Sequence, residues 1–169
     1  YLSRRIFDVA EQLTDFSEPL KQMQDDFYTD YMPHRLRAEG GYEGEEGFAP
    51  LSPAYAAWKE MHYGGSPILY LSGRLWQAFS GPQAAGAVAS VSPFEMVVGA
   101  DVPVGGWNLA ALHQFGTTRT WMPARPPLRL SMTRRAHWTS ILRRWVRQKM
   151  LWVGGRRRGQ IGTELPALD

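Results

Sequence analysis

Leu112-His113-Gln114-Phe115-Gly116-Thr117-Thr118-Arg119-Thr120-Trp121-Met122-Pro123-Ala124-Arg125-Pro126-Pro127-Leu128-Arg129-Leu130 joins two kinds of backbone in one short span. The residues leading into it, Trp107 to Phe115, are predicted to form a short helix. Gly116 stops that helix, because glycine accepts the left-handed conformation common just past a helix end. Residues 119–130 are predicted to be extended. Pro123, Pro126 and Pro127 each lack an amide donor, so this segment cannot run as a central strand along its length. The strands therefore belong elsewhere, and residues 84–91 and 94–100 are the candidates. Val88, Val91, Met96, Val97 and Val98 supply β-propensity, and Ser92-Pro93 makes the connection. Helix and sheet together define an α+β fold, a small antiparallel sheet packed by helices, with long helical elements at both ends of the chain.

Working outward, residues 4–32 carry a helical stripe. Ile6, Val9, Leu13 and Phe16 recur at three and four residues, and Leu20, Met23 and Phe27 continue the pattern. Ser17-Glu18-Pro19 reads as a helix start, with Ser17 as cap, which places a break near Ser17. Pro33 is expected to close the region, because the residue before a proline avoids helical geometry. Gly40 to Gly47 is glycine-rich and acidic, and is expected to be a mobile loop that orders on assembly. Ser52-Pro53 opens a short helix over Tyr55, Trp58 and Met61, which Gly64-Gly65-Ser66-Pro67 ends. A further short helix runs from Arg74 to Phe79, before Gly81-Pro82. In the last helix Trp138, Ile141, Leu142, Trp145, Val146 and Met150 line one face, and Ser131 is the expected cap. Arg134, Arg135, Arg143, Arg144, Arg147 and Lys149 form its basic face. Gly154-Gly155 is expected to end it. One domain over residues 1–153 follows, with 154–169 as a basic flexible tail. The chain begins at Tyr1 rather than Met, which leaves an upstream segment open.

The absence of cysteine excludes disulfides, thiolate metal sites and cysteine nucleophiles. No apolar run reaches the ~20 residues of a membrane span. The net charge of +3 conceals a polarity. Residues 1–60 hold 12 acidic and 6 basic side chains, whereas residues 102–163 hold 12 Arg or Lys and no Asp or Glu. Such asymmetry points to a partner of opposite sign: nucleic acid, an acidic protein surface, or the acidic half of a neighbouring copy. A solvated basic face and tail is the plainer reading.

No constellation for catalysis emerges. There is no Gly-x-Ser-x-Gly elbow for a serine nucleophile. His34, His62, His113 and His137 have no metal-ligand spacing. His113 is better read as a packed, locally hydrogen-bonded residue than as a general base. Gly105-Gly106 and Gly154-Gly155 are turns, lacking the Gly-Lys-Ser/Thr of a phosphate cradle. Glu43, Glu45 and Glu46 lack the alternating ligands of a calcium loop. No cofactor or metal is called for. Arg125 stands out instead: Pro123 and Pro126 stiffen the backbone around a planar five-donor fork, so it reads as an anchor at a subunit contact or within the fold.

The blocks His113-Gln114-Phe115-Gly116 and Pro123-Ala124-Arg125-Pro126 occur in the order of a family signature. So do Pro50-Leu51-Ser52, Trp58-Lys59 and Ile68-Leu69-Tyr70-Leu71-Ser72-Gly73-Arg74-Leu75. Together they resemble the phage virion morphogenesis family, the tail-completion proteins of Mu-like and P2-like tailed bacteriophages. Pro127 stands where that family more often has an aromatic. The resemblance implies a non-enzymatic virion structural protein, assembled in the host cytoplasm and located at the neck or tail. It implies a closed ring, a hexamer, at the head-proximal end of the tail, with other neck and tail proteins as partners. His113, Gln114, Phe115, Gly116, Arg125 and Pro126 become the subunit-interface or loop-anchor candidates. Ring closure requires a heterologous interface, and the acidic half of one subunit meeting the basic half of the next would supply one. The alternatives are a tail terminator or head-tail connector of an adjacent ring, or a module that binds DNA non-specifically through the basic face. Affinity for unrelated duplexes with a steep salt slope marks the latter. An activity abolished by His113→Ala, with assembly intact, would mark an enzyme.

Overall fold

The structure is a computed structural model that describes residues 13–118 and 121–155. Ile6, Val9, Arg119 and the segment 156–169 lie outside the described residues.

Helix α1 spans Ser17–Asp26. The break expected near Ser17 is present, but Ser17 is the first helical residue and not the cap. Phe16 holds the cap position without a side-chain cap, and Asp15 just before it accepts the Ser17 amide through Oδ1 at 2.8 Å. The helical run does not stop at Pro33. It passes through a π turn, Phe27–Tyr31, into α2, Met32–Arg37. Met32 donates its amide to the Phe27 carbonyl, five residues back. In regular α winding the Pro33 ring would press on the carbonyl four residues before it. The wider π turn relieves that clash, which is why the helix survives. Leu36 and Arg35, beyond the proline, are thereby buried.

Helix α3, Pro53–Tyr63, starts at Ser52, whose hydroxyl accepts from the Tyr55 amide, and ends at Gly64 with φ +61°. Helix α4 covers Arg74–Ala78. Strands β1, Ala87–Val91, and β2, Met96–Ala100, pair antiparallel with Ala89 opposite Val98. A second ladder, β3 Pro103–Val104 with β4 Trp107–Asn108, closes over Gly105-Gly106, both at positive φ. Sequence placed Trp107 in the next helix. Asn108 prevents this by capping: its Oδ1 accepts from the Ala110 and Ala111 amides, so α5 runs Leu109–Phe115. Helix α6 spans Met132–Gly155, and the Ser131 hydroxyl accepts the Arg134 amide at 2.8 Å. Gly154 and Gly155 are its last turn, not a separate loop. The architecture is α+β, with helical elements against a small antiparallel sheet.

The core joins the π turn and α2 to α4 and α5 through Phe27, Tyr31, Leu36, Phe79 and Ala110. Helix α6 lies antiparallel to α1: Trp138 Nε1 donates to Asp26 at 2.6 Å and Trp145 Nε1 donates to Glu18 at 3.0 Å. Phe16 packs at a tilt against Trp145, with ring centroids 4.9 Å apart. The inward positions of α6 are Ser131, Arg134, Trp138, Ile141 and Trp145, a helical stripe.

Two expectations are corrected here. Arg134 does not belong to the basic face; it is buried within this stripe. The acidic loop 40–47 is held by the fold and not awaiting a partner. Glu43 accepts from Arg134 at 2.6 Å and also from the Ser131 hydroxyl, and Glu45 pairs with Arg129 at 2.9 Å. Tyr42 stacks on His34, and Phe48 is buried. The loop lacks apolar surface, as its composition suggests, but charge-assisted hydrogen bonds offset its ordering cost.

Among the described residues no helix is long and apolar enough to cross a membrane.

Candidate assembly face

The signature segment folds back on itself, and its spacing has a mechanical reason. Arg125 donates its amide to the His113 carbonyl at 2.7 Å. The Leu128 amide donates to Gln114 Oε1 at 3.1 Å, and Thr117 and Met122 exchange backbone hydrogen bonds at 3.0 Å. The end of α5 and the proline-rich run are thus zipped side by side. Gly116 sits where they approach closest, at φ +69°. A Cβ there would meet the Met122 carbonyl at 2.7 Å and the Ala124 amide nitrogen at 2.8 Å, so no other residue fits.

Two buried arginines lock this hairpin to the rest of the molecule. Arg125 donates from Nε to the Ala49 carbonyl at 2.6 Å and from Nη2 to the Pro50 carbonyl at 2.8 Å. It therefore ties together the two blocks of sequence that carry the resemblance. Arg35 donates to the carbonyls of Pro127, Gly40 and Pro126, and lies 5.5 Å over the Phe48 ring. Burial holds the pKa of both guanidiniums below the ordinary arginine value. Arg35 escaped the sequence reading because Pro33 was taken to end the helix before it. The only signal was an arginine at helical spacing beyond a proline.

His113 lines the same region. Burial first, and the Arg125 charge second, push its pKa down to about 4, so its ring is neutral near pH 7. Pro126 is engaged through its carbonyl by Arg35. Phe115, by contrast, points away from the core at 80% exposed.

The surface framed by this clamp is unusually apolar. Helix α3 is turned inside out: Lys59 is its buried residue, with Nζ donating to the Ser66 carbonyl at 3.0 Å and to the Pro67 carbonyl. Its aromatics face outward. Tyr55, His62 and Tyr63 group around Trp58 with centroids 4.7–5.7 Å away. Beside them Tyr70, Leu71, Val104, Leu109 and Trp121 surround a cavity of about 570 Å³. Trp121 is 88% exposed and holds a left-handed backbone, φ +51°. For a bulky residue that conformation costs roughly 1–2 kcal/mol. Clustered exposed apolar side chains of this kind occur at protein contact sites, membrane contact sites and ligand grooves.

On α6, Arg135, Arg143, Arg144 and Arg147 are exposed and form no ion pair among the described residues. Lys149 lies 3.7 Å from Glu18 and over the Trp145 ring. The described residues contain no group of His, Asp and Glu able to hold a metal.

No family model matches the chain, and no curated protein or solved structure matches it either.

Proposed function

We propose that this chain is a structural subunit of a tailed-bacteriophage virion, acting in tail completion. It forms a ring, a hexamer, at the head-proximal end of the tail, where head and tail join. The reading is supported above all by the apolar face of Tyr55, Trp58, Leu71, Phe115 and Trp121, presented by the backbone clamp that the signature residues build. A clamp of carbonyl-capped arginines has no reacting group to offer a substrate; it is suited to holding a surface rigid. A rigid apolar surface is what a lasting subunit contact needs, because little ordering entropy remains to be lost on binding.

The test is self-association of the purified chain. The wild type is expected to show a mass several times that of one chain by light scattering. Phe115→Ser with Trp121→Asn is expected to shift it toward the monomer while leaving the circular dichroism unchanged. Unaltered mass in that variant, or a monomeric wild type at high concentration, overturns the reading. Labelling the chain in virus particles by electron microscopy then locates it along the tail axis.

A second reading rests on the four exposed arginines of α6, Arg135, Arg143, Arg144 and Arg147: non-specific contact with DNA passing through the ring. Neutralising them should flatten the salt dependence of duplex binding without altering the oligomer.

A further inference from the structure

The cavity beside α3 has an uncommon wall. Ile68, Leu71, Leu75 and Leu109 make it greasy, while Lys59, Arg74 and Arg125 add positive charge, and no Asp or Glu among the described residues lines it. Lys59 and Arg125 are both about 5% exposed. Each meets backbone carbonyls and forms no ion pair among the described residues. Burial lowers the Lys59 pKa and the field of Glu39 opposes that shift in part, while Glu39 Oε1 accepts from the Ile68 amide. A volume of about 570 Å³ lies inside the ~300–1,000 Å³ range of ligand cavities. The chemistry that fits is an extended segment carrying branched aliphatic side chains and carboxylates.

The chain itself contains one. Residues 161–169 read Ile-Gly-Thr-Glu-Leu-Pro-Ala-Leu-Asp. Glu164 and Asp169 are the only acidic residues after Asp101, and they flank Leu165 and Leu168. We propose that residues 161–169 of a second copy dock in this cavity, with the leucines on the aliphatic wall and the carboxylates toward Lys59, Arg74 and Arg125.

Geometry favours a second copy over the same chain. Arg125, on the cavity wall, precedes α6 by a few residues, and the segment leaves from the other end of that helix. The 24 residues of α6 span about 36 Å at ~1.5 Å each. Leu165 lies ten residues past Gly155, about 34 Å away even when fully stretched. Reaching its own cavity would require the segment to run straight back along the entire helix. Reaching a neighbour placed head to tail requires no such stretch. Acceptor and donor at opposite ends of one subunit generate a heterologous contact, the kind that closes rings. The inference rests on the assembly reading and names the contact that would drive it.

The test uses full-length chain carrying Leu165→Ser and Leu168→Ser as receptor, and a fluorescein-labelled peptide of residues 161–169 as probe. Fluorescence anisotropy is expected to show saturable binding. Leu71→Glu, added to the receptor at the exposed lip of the cavity, is expected to weaken it at least tenfold by opposing the acidic peptide. The Leu165→Ser, Leu168→Ser variant alone is expected to lose oligomer mass. Absence of peptide binding, or binding indifferent to Leu71→Glu, overturns the proposal. If the oligomer also survives in the leucine variant, the assembly reading stands without it. A monomeric wild type whose leucine variant still binds the peptide means that the segment closes on its own cavity, which overturns docking between copies and the ring together.

Discussion

Asp26, Asp30 and Glu43 converge on the Arg134 guanidinium at 2.5–2.6 Å, although more than ninety residues separate each of them from it in sequence. Burial alone would lower the arginine's pKa, but the hydrogen bonds it donates to Asp30, Asp26 and Glu43 outweigh it and hold the value above normal. Removing one partner of such a buried set leaves the others uncompensated. Arg134→Ala is expected to cost about 3–5 kcal/mol, read as a lower midpoint in urea denaturation. His113 makes the second residue-scale prediction. Its folded pKa, about 4, lies below the ordinary 6.5, so the unfolded chain takes up the proton first as pH falls. Stability from the neutral ring is complete above ~6.5 and is lost between there and about 4. At ~1.36 kcal/mol per unit the loss approaches ~3 kcal/mol. The fall in Tm over that window should shrink in His113→Gln; an identical slope would show that the ring is not what acid attacks.

At the scale of elements, the loop 40–47 yields a test opposite to its composition. Its glycines and glutamates suggest protease sensitivity, yet Arg134, Arg129 and Ser131 grip it. Limited digestion with a Glu-specific protease should spare Glu43 and Glu45 in the wild type and cut there in Arg134→Ala. Equal cutting of both would dismiss the grip. Much of the element pattern was legible beforehand. The strands at 87–91 and 96–100, the Ser52 and Ser131 caps and the break near Ser17 follow from propensity and local hydrogen bonding. Pro33 was misleading because a π turn is a local distortion that no residue preference announces. Helix α3 was legible as a helix but not in its orientation. Tyr55, Trp58 and Met61 have helical spacing, which tells which residues share a face but not whether that face meets the core or solvent. The clamp was half visible: Arg125 between prolines stood out, while its acceptors at Ala49 and Pro50 belong to tertiary structure.

At the scale of the molecule, part of the charge asymmetry between the two halves is resolved inside one subunit. Glu18, Asp26, Asp30, Glu43 and Glu45 all meet basic or indole groups of residues 129–149. These five acidic groups are therefore engaged before any neighbour arrives, and among the described residues Arg135, Arg143, Arg144 and Arg147 stay exposed with no ion pair. Converting Arg143, Arg144 and Arg147 to Gln is expected to leave Tm within about 1 kcal/mol equivalent of the wild type, as for exposed charges generally. If self-association measured at low and high salt is also unchanged, these arginines do not serve the subunit contact. The exposure of Trp58, Trp107 and Trp121 beside the buried Trp145 has a practical consequence. Indoles in water emit at longer wavelength than indoles in a dry interior. Three of them on the open surface give a dilute solution a red-shifted spectrum, and covering them moves the emission to the blue. The protein thus brings its own optical gauge of association, readable in a cuvette with no dye attached.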